Sequence, residues 1–300
     1  MRALVTGHRG FIGRHITRVL EDAGYRVSGA DIADGDDARD CFRYDSTRFD
    51  VAVHCAAVVG GRAVIEGAPL DLAVNLELDA AFFAWAERTR PGRAVYLSSS
   101  AAYPVRLQTL EWLDHHGPTR LAEHYINLTQ WGKTGDWSPD ALYGWCKLTG
   151  EHLALLARDA GVTVSIVRPF SGYGADQADC YPFPALAGRA ARREDPFVIW
   201  GSGDQVRDFI HVDDICAAIM TMISEGIDGP VNLGTGRAAS MRDLAGLMCA
   251  AAAYEPEFRP LPGKPSGVAY RVADITRMSE FFTPKVSLEE GVARALASAR

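Results

Sequence analysis

Apolar positions in this chain follow two rhythms, and they alternate. Short β-rich runs recur: ALVTG (3–7), YRVSGAD (25–31), DVAVHCAA (50–57), RAVYLSSS (93–100) and VTVSIVRPF (162–170). Each reads as a strand. Between them the apolar spacing becomes helical. FIGRHITRVLEDAG places Phe11, Ile12, His15, Ile16, Val19 and Leu20 on one side, and Gly24 acts as a stop. Residues 70–90 (LDLAVNLELDAAFFAWAERTR) and 141–161 (ALYGWCKLTGEHLALLARDAG) predict two longer helices. Strands alternating with helices predict a parallel, doubly wound α/β sheet of the Rossmann type. CFRY (41–44) reads as a weak extra strand.

The C-terminal third changes character. Prolines gather at 182, 184 and 196 and again at 256, 260, 262 and 265, around FVIW, VNLG and two helical stretches, HVDDICAAIMTMISEG and SMRDLAGLMCAAAA. This predicts a smaller C-terminal substrate-binding lobe. Residues 1–168, with returning segments near 208–238, would form the dinucleotide-binding domain. Residues 169–207 and 239–300 would form the lobe.

Composition narrows the class. At 300 residues and 48% apolar content, the chain can bury a sizeable core. A net charge of -7 argues against a general nucleic-acid binder, which needs a basic surface. Six cysteines without CxxC pairing fit a reduced, intracellular protein. The sequence shows neither a signal-peptide pattern nor an apolar run of membrane length, so no membrane partner and a cytoplasmic location are expected.

The first strand leads into Gly7, Gly10 and Gly13, with Arg9, Phe11 and Ile12 between them, and then directly into a helix. A helix N-terminus offers unpaired N–H groups and a positive dipole end to a pyrophosphate, and glycine lets the backbone come close. Asp31 ends the second strand, where an acid can bond a ribose 2′-hydroxyl and would repel a 2′-phosphate. NAD is therefore expected ahead of NADP. Arg9 is the counter-argument, since a guanidinium binds phosphate; alternatively it is a charge partner for Asp31. Asp45 either accepts from the adenine amino group or is a solvated turn residue. Ala56 and Ala57, ending a strand, are small enough for a cofactor to lie against the backbone.

Three serines (98–100) end the fourth strand, and Tyr143 and Lys147 stand four apart on a helix. These are the parts of a hydride-transfer site: a phenol as acid–base, an ammonium beside it, and a serine hydroxyl on the same substrate oxygen. A unit charge about 4 Å from the phenol, at an effective dielectric near 20, is worth about 4 kcal/mol. That would bring a tyrosine from about 10 to about 7, near working pH.

Together with Asn75 and WGSGDQVRDFIHVDD (200–214), these motifs resemble, nearly end to end, the extended short-chain dehydrogenase/reductase family, most of whose members act on nucleotide sugars. HRG, AAVVGG and SSSAAYP are most similar to the branch holding GDP-fucose synthase and GDP-mannose 3,5-epimerase. The resemblance implies Tyr143 as acid–base, Lys147 as its partner and a cofactor-ribose ligand, and Ser99 as the catalytic hydroxyl with Ser100 as fallback. It implies Arg207, and more weakly Arg271, on the substrate diphosphate, and Asn75 beside the active site. Ser171 stands where the family has a substrate-touching asparagine. Ala101 replaces an acid–base cysteine of the 3,5-epimerases, whose second acid–base falls near Cys180 and Tyr181. The implied activity is NAD-dependent epimerisation of a nucleotide-diphosphate sugar by transient oxidation. Reduction or dehydration is the alternative, and a non-catalytic cofactor-sensing protein the alternative of another class. A homodimer through the two long helices is also implied. Residues 105–138 exceed the family's usual loop and hold Trp112, Trp131 and Trp137, which points to a folded lid or an interface. Glu111, His115, His116 and His124 there are read as solvated, with no metal expected.

Overall fold

The computed structural model describes residues 1–61, 65, 67, 69–128 and 138–298. Strands β1 (Arg2–Thr6), β2 (Arg26–Ala30), β3 (Val51–His54), β4 (Arg93–Leu97) and β5 (Val164–Pro169) occur where the apolar runs predict them. Short strands follow: β6 (Gly172–Tyr173), β7 (Phe197–Trp200), β8 (Val206–Arg207) and β9 (Ile210–His211). Then come β10 (Gly229–Leu233), β11 (Ala239–Ser240), β12 (Phe258–Leu261) and β13 (Tyr270–Arg271). Six strands form one sheet in the order β10-β5-β4-β3-β1-β2, every pair parallel.

Successive residues of a strand face opposite ways, so each strand feeds two cores. Ala3, Val5, Val51, Val53 and Val95 face one layer, with Ile16 and Leu20 of α1 (Phe11–Asp22). Leu4, Ala52, Ala94 and Tyr96 face the other. There they meet Phe42 of α2 (Ala38–Tyr44), Phe82 and Trp85 of α3 (Val74–Thr89), and, past α4 (Leu110–His116), Ala154 of α5 (Ala141–Asp159). Burial on both faces explains why the strands read as near-continuous apolar runs.

A third core builds the lobe. It joins α6 (Pro182–Ala191) to α8 (Met241–Ala251) and α10 (Leu288–Ser298), through Leu186, Leu244, Met248, Val292 and Leu296. The chain between re-enters the first core: α7 (Val212–Glu225) contributes Ile215 and Ile219, and α9 (Thr276–Ser279) contributes Met278. Asp208 ties lobe to sheet. Its buried carboxylate accepts from Thr235 N–H and Oγ1, Gly236 N–H and Ala273 N–H at 2.6–3.2 Å.

CFRY is not a strand but the end of α2. Asp37 caps that helix, accepting from Arg39 N–H at 2.8 Å, and Phe42 packs near His54, Phe82 and Trp85. A run of four residues carries too little alternation to outweigh a good N-cap.

One buried ion pair holds the region beneath the sheet's carboxyl edge. Arg168 of β5 donates Nε and Nη2 to the two oxygens of Glu151 of α5, at 2.8 and 2.6 Å. Ser98 also donates to Glu151. Arg168 Nη1 donates to Tyr103 Oη (2.9 Å), which donates on to Asn232 Oδ1 (2.7 Å). The first part of the long insertion is fixed to this cluster. Asn232 Nδ2 donates to Leu121 O, and Glu123 Oε1 accepts from Asn232 N–H. Leu121 N–H also donates to Val272 O at 2.9 Å. Trp112 donates its indole N–H to Thr119 Oγ1 (2.9 Å) and stacks on His116. Trp131 and Trp137 lie outside the described residues.

Breaking a buried pair from one side leaves an uncompensated charge. Arg168→Met should therefore lower the unfolding free energy by about 3–5 kcal/mol, read from urea midpoints. Adding Glu151→Leu should restore most of it.

Candidate active site

A cavity of about 650 Å³ lies across the carboxyl edge of the sheet, where strand order reverses around β1. Gly7, Arg9, Gly10, Phe11, Ile12 and Gly13 line one side. Gly7 has φ +69, and a Cβ there would stand 2.6 Å from Ala56 N; a Cβ on Gly13 would stand 1.9 Å from Gly7 O. The loop can take this shape only with glycine at both positions. It leaves the N-terminus of α1 facing the cavity beside Ala56 and Ala57. This cradle fits a pyrophosphate.

At one end Asp31 lines the cavity, its oxygens accepting from Ala33 N–H (2.9 Å) and Arg9 N–H (2.8 Å). The Arg9 guanidinium turns to Asp34, not to Asp31. Arg39 lines the same end, gripped by Asp37 and donating to Glu77 at 2.6 Å. Asp45 does not line the cavity. With CFRY helical, Asp45 falls at the helix end, where its carboxylate accepts from Thr47 N–H at 2.7 Å.

At the other end Ser98, Ser99, Ser100, Tyr143 and Lys147 converge. The three serines divide their work: Ser98 turns down to Glu151, while Ser99 hydrogen-bonds Tyr143 and caps the next turn through Ala101 N–H. Lys147 is 3% exposed, donates to Leu97 O at 2.8 Å, and has Nζ 6.0 Å from the Tyr143 ring centroid. The polypeptide alone does not bring the phenol near neutrality. Burial pushes Tyr143 up to about 12, against the Ser99 hydrogen bond; Asp79 and Cys146 push it further up. The expected drop rested on an ammonium at about 4 Å; in the polypeptide alone burial outweighs it.

Behind this pair runs a buried chain. His54 Nδ1 meets Thr6 Oγ1 at 2.7 Å, its Nε2 meets Asp79 Oδ1 at 3.2 Å, and Tyr96 Oη donates to Asp79 Oδ2 at 2.5 Å. Desolvation holds His54 below its ordinary pKa.

The remaining candidates separate. Ser171 and Arg271 line the cavity; Arg207 does not, its guanidinium bonding Val206 O and Ser266 O. Arg271 donates to Gln108 Oε1 (2.6 Å) and to Asp140 Oδ2 (2.8 Å). Cys180 is exposed outside the cavity, whereas its neighbour Tyr181 lines it. Asn75 sits behind the wall: Oδ1 accepts from Val58 N–H and Nδ2 donates to Val58 O, so it shapes the Val58 backbone without reaching the cavity. Sequence reasoning missed Asp34, Asp37 and Arg39, although the acidic run DIADGDD (31–37) marks them. It also missed Asp140, one helical turn before Tyr143. Among the described residues no group of three or more His, Cys, Asp and Glu is placed to hold a metal, and no helix is long and apolar enough to cross a membrane.

A doubly wound sheet with this loop and this edge defines a dinucleotide-binding enzyme class. Residues 3–234 match the NAD dependent epimerase/dehydratase family, and the chain belongs to it. It is 29% identical to dTDP-4-dehydro-6-deoxy-D-allose reductase of Streptomyces bikiniensis, over 92% of this chain and 89% of that one. It is 25% identical to GDP-L-fucose synthase of Escherichia coli, over 97% and 94%. UDP-glucose 4-epimerase of Thermus thermophilus, solved with NAD, superposes with a TM-score of 0.82 at 22% identity, covering 100% and 99%.

A folded pKa raised above the free value keeps Tyr143 neutral at physiological pH. Its stabilising contribution is full below about 10 and fades as pH rises through about 12. In cofactor-stripped protein, the ultraviolet tyrosinate signal lost in Tyr143→Phe should titrate near 12. Titration at the ordinary value of about 10 would contradict burial as the dominant influence.

Proposed function

We propose that this protein is an NAD-dependent epimerase of a nucleotide-diphosphate sugar, inverting one carbon by transient oxidation of its hydroxyl and return of the same hydride. The carrying observation is the convergence of Tyr143, Ser99 and Lys147 at one end of a cavity whose side carries a pyrophosphate cradle. Bound NAD supplies the hydride acceptor and donor. Tyr143 Oη and Ser99 Oγ bracket the substrate oxygen; Tyr143 takes its proton as the carbon is oxidised and returns it afterwards. Lys147 supplies the nearby positive charge and is assigned to the cofactor ribose. The acids at the far end, Asp31 among them, suit a ribose diol over a 2′-phosphate. Arg271, buried and braced by Gln108 and Asp140, is the cavity's cation for the substrate diphosphate.

Ala101 lines the cavity where the two-carbon epimerases place a cysteine, and Cys180 lies outside it. That supports chemistry confined to one carbon. The reading with most support after this is reduction of a ketosugar, because sequence relatives at 29% and 25% identity are named a reductase and a synthase.

A panel of UDP, GDP, dTDP and CDP sugars, followed by proton NMR, should show interconversion of epimers without added reductant. Stoichiometric consumption of reduced dinucleotide with a ketosugar, and no epimer exchange, would favour the reductase. Tyr143→Phe should lower kcat by about 10²–10⁴-fold, the usual worth of a general acid–base, while dinucleotide binding persists. Unchanged turnover would sink the assignment.

A further inference from the structure

The adenosine end of the cavity holds two arginines, and neither is presented as an anion ligand. Arg9 Nε donates to both oxygens of Asp34 (3.0 and 2.9 Å), and Nη2 donates to Oδ1 (2.9 Å). His8 Nε2 adds a contact to Asp34 Oδ2 at 3.0 Å. Asp34 is set in place by the turn that follows β2. Its N–H donates to Asp31 O (3.0 Å), and Gly35, at φ +86, closes the turn. Arg39 is engaged in the same way by Asp37 and Glu77.

We propose that Asp34, by holding the Arg9 guanidinium, excludes a 2′-phosphate from this end of the cavity, and that Asp34 more than Asp31 sets the preference for the non-phosphorylated dinucleotide. This rests on the cofactor reading above and extends it to a residue outside the usual acid at the strand end.

Asp31 already receives two backbone N–H groups, one to each oxygen. Each oxygen keeps a further lone pair, so Asp31 can still accept from a ribose hydroxyl. Its own charge is thus partly answered by the backbone. Asp34 acts differently, because it occupies the guanidinium of the glycine loop, a group suited to phosphate. A planar guanidinium binds carboxylate and phosphate in the same forked manner, so one partner displaces the other. With Asp34 in place, a 2′-phosphate meets a neutralised Arg9 beside two further acids. Without it, the same phosphate meets a cation reaching from the loop. Arg9 is 61% and Asp34 31% exposed at the side chain, so the pair adds little to stability and its removal should leave the fold intact.

The test is binding to stripped protein, by quenching of tryptophan fluorescence with NADH and NADPH, on wild type, Asp34→Ala, Asp34→Asn and Arg9→Ala/Asp34→Ala, with far-ultraviolet circular dichroism as a fold check. Wild type should favour NADH. Asp34→Ala and Asp34→Asn should each gain about tenfold or more in NADPH affinity, the scale of one charge-assisted hydrogen bond. The double variant should lose that gain. An unchanged NADPH-to-NADH ratio in Asp34→Ala, or a gain that survives loss of Arg9, overturns the proposal while leaving the cofactor reading standing. Wild-type preference for NADPH also overturns it. Binding of neither dinucleotide overturns the cofactor reading itself, and the proposal with it.

Discussion

The Glu151–Arg168 pair is the constraint on which the reactive end of the molecule depends. Tyr143, Lys147 and Glu151 are spaced four residues apart on α5 and share one face. Locking Glu151 to β5 therefore fixes the rotation of the helix and aims the other two at the sheet edge. The same carboxylate receives Ser98, which sets the serine run so that Ser99, the next residue, faces the phenol. Through Tyr103 and Asn232 the pair also anchors the insertion, and the insertion carries Gln108 to Arg271. A single buried charge pair thus links the Tyr143–Ser99 pair to Arg271. Buried ion pairs seldom add net stability; what this one supplies is geometry.

That geometry holds the phenol in its neutral form. Tyr143 lies near a buried acid, Asp79, which shares its charge with His54 and Tyr96. Lys147 sits between these groups and the cavity, its ammonium on Leu97 O and 5.1 Å from the Tyr96 ring centroid. Protein groups alone leave the tyrosine protonated. The chain's contribution is placement: a protonated phenol, a serine hydrogen-bonded to it, and an ammonium 6.0 Å from its ring centroid.

Local signals made the fold legible. The five strand runs and the glycine loop carry their evidence in adjacent residues: apolar alternation, small residues at the sheet edge, and a helix start. Tyr143, Lys147 and Ser99 were equally readable, because their spacing and position after a strand are local facts. CFRY misled because four residues cannot establish a period, and the cap that decides the matter is Asp37, just upstream. Asn75, Arg207 and Cys180 fall outside the cavity lining for another reason. Whether a side chain faces a cavity or a neighbouring backbone depends on partners 17 to 59 residues away, as with Val58 and Ser266. The upward push of burial on Tyr143 is a tertiary effect that no local pattern reports.

The two ends of the cavity handle cations in a shared way. Arg9, Arg39 and Arg271 line it, and each is bonded to a carboxylate: Asp34, Asp37 with Glu77, and Asp140. Exposure separates them. The Arg271–Asp140 pair is about nine-tenths buried, where charge interactions are strong and water competes little, whereas the Arg9–Asp34 pair lies in solvent. A buried arginine held from two sides by Gln108 and Asp140 keeps its direction when an anion arrives, so the ligand adds to an existing arrangement. An exposed arginine is redirected by whichever acid is nearest. Burial thus fixes the direction of Arg271, whereas a neighbouring acid, Asp34, sets that of Arg9. On the proposed reading, that difference lets similar arginine–carboxylate pairs serve attraction at one end and exclusion at the other.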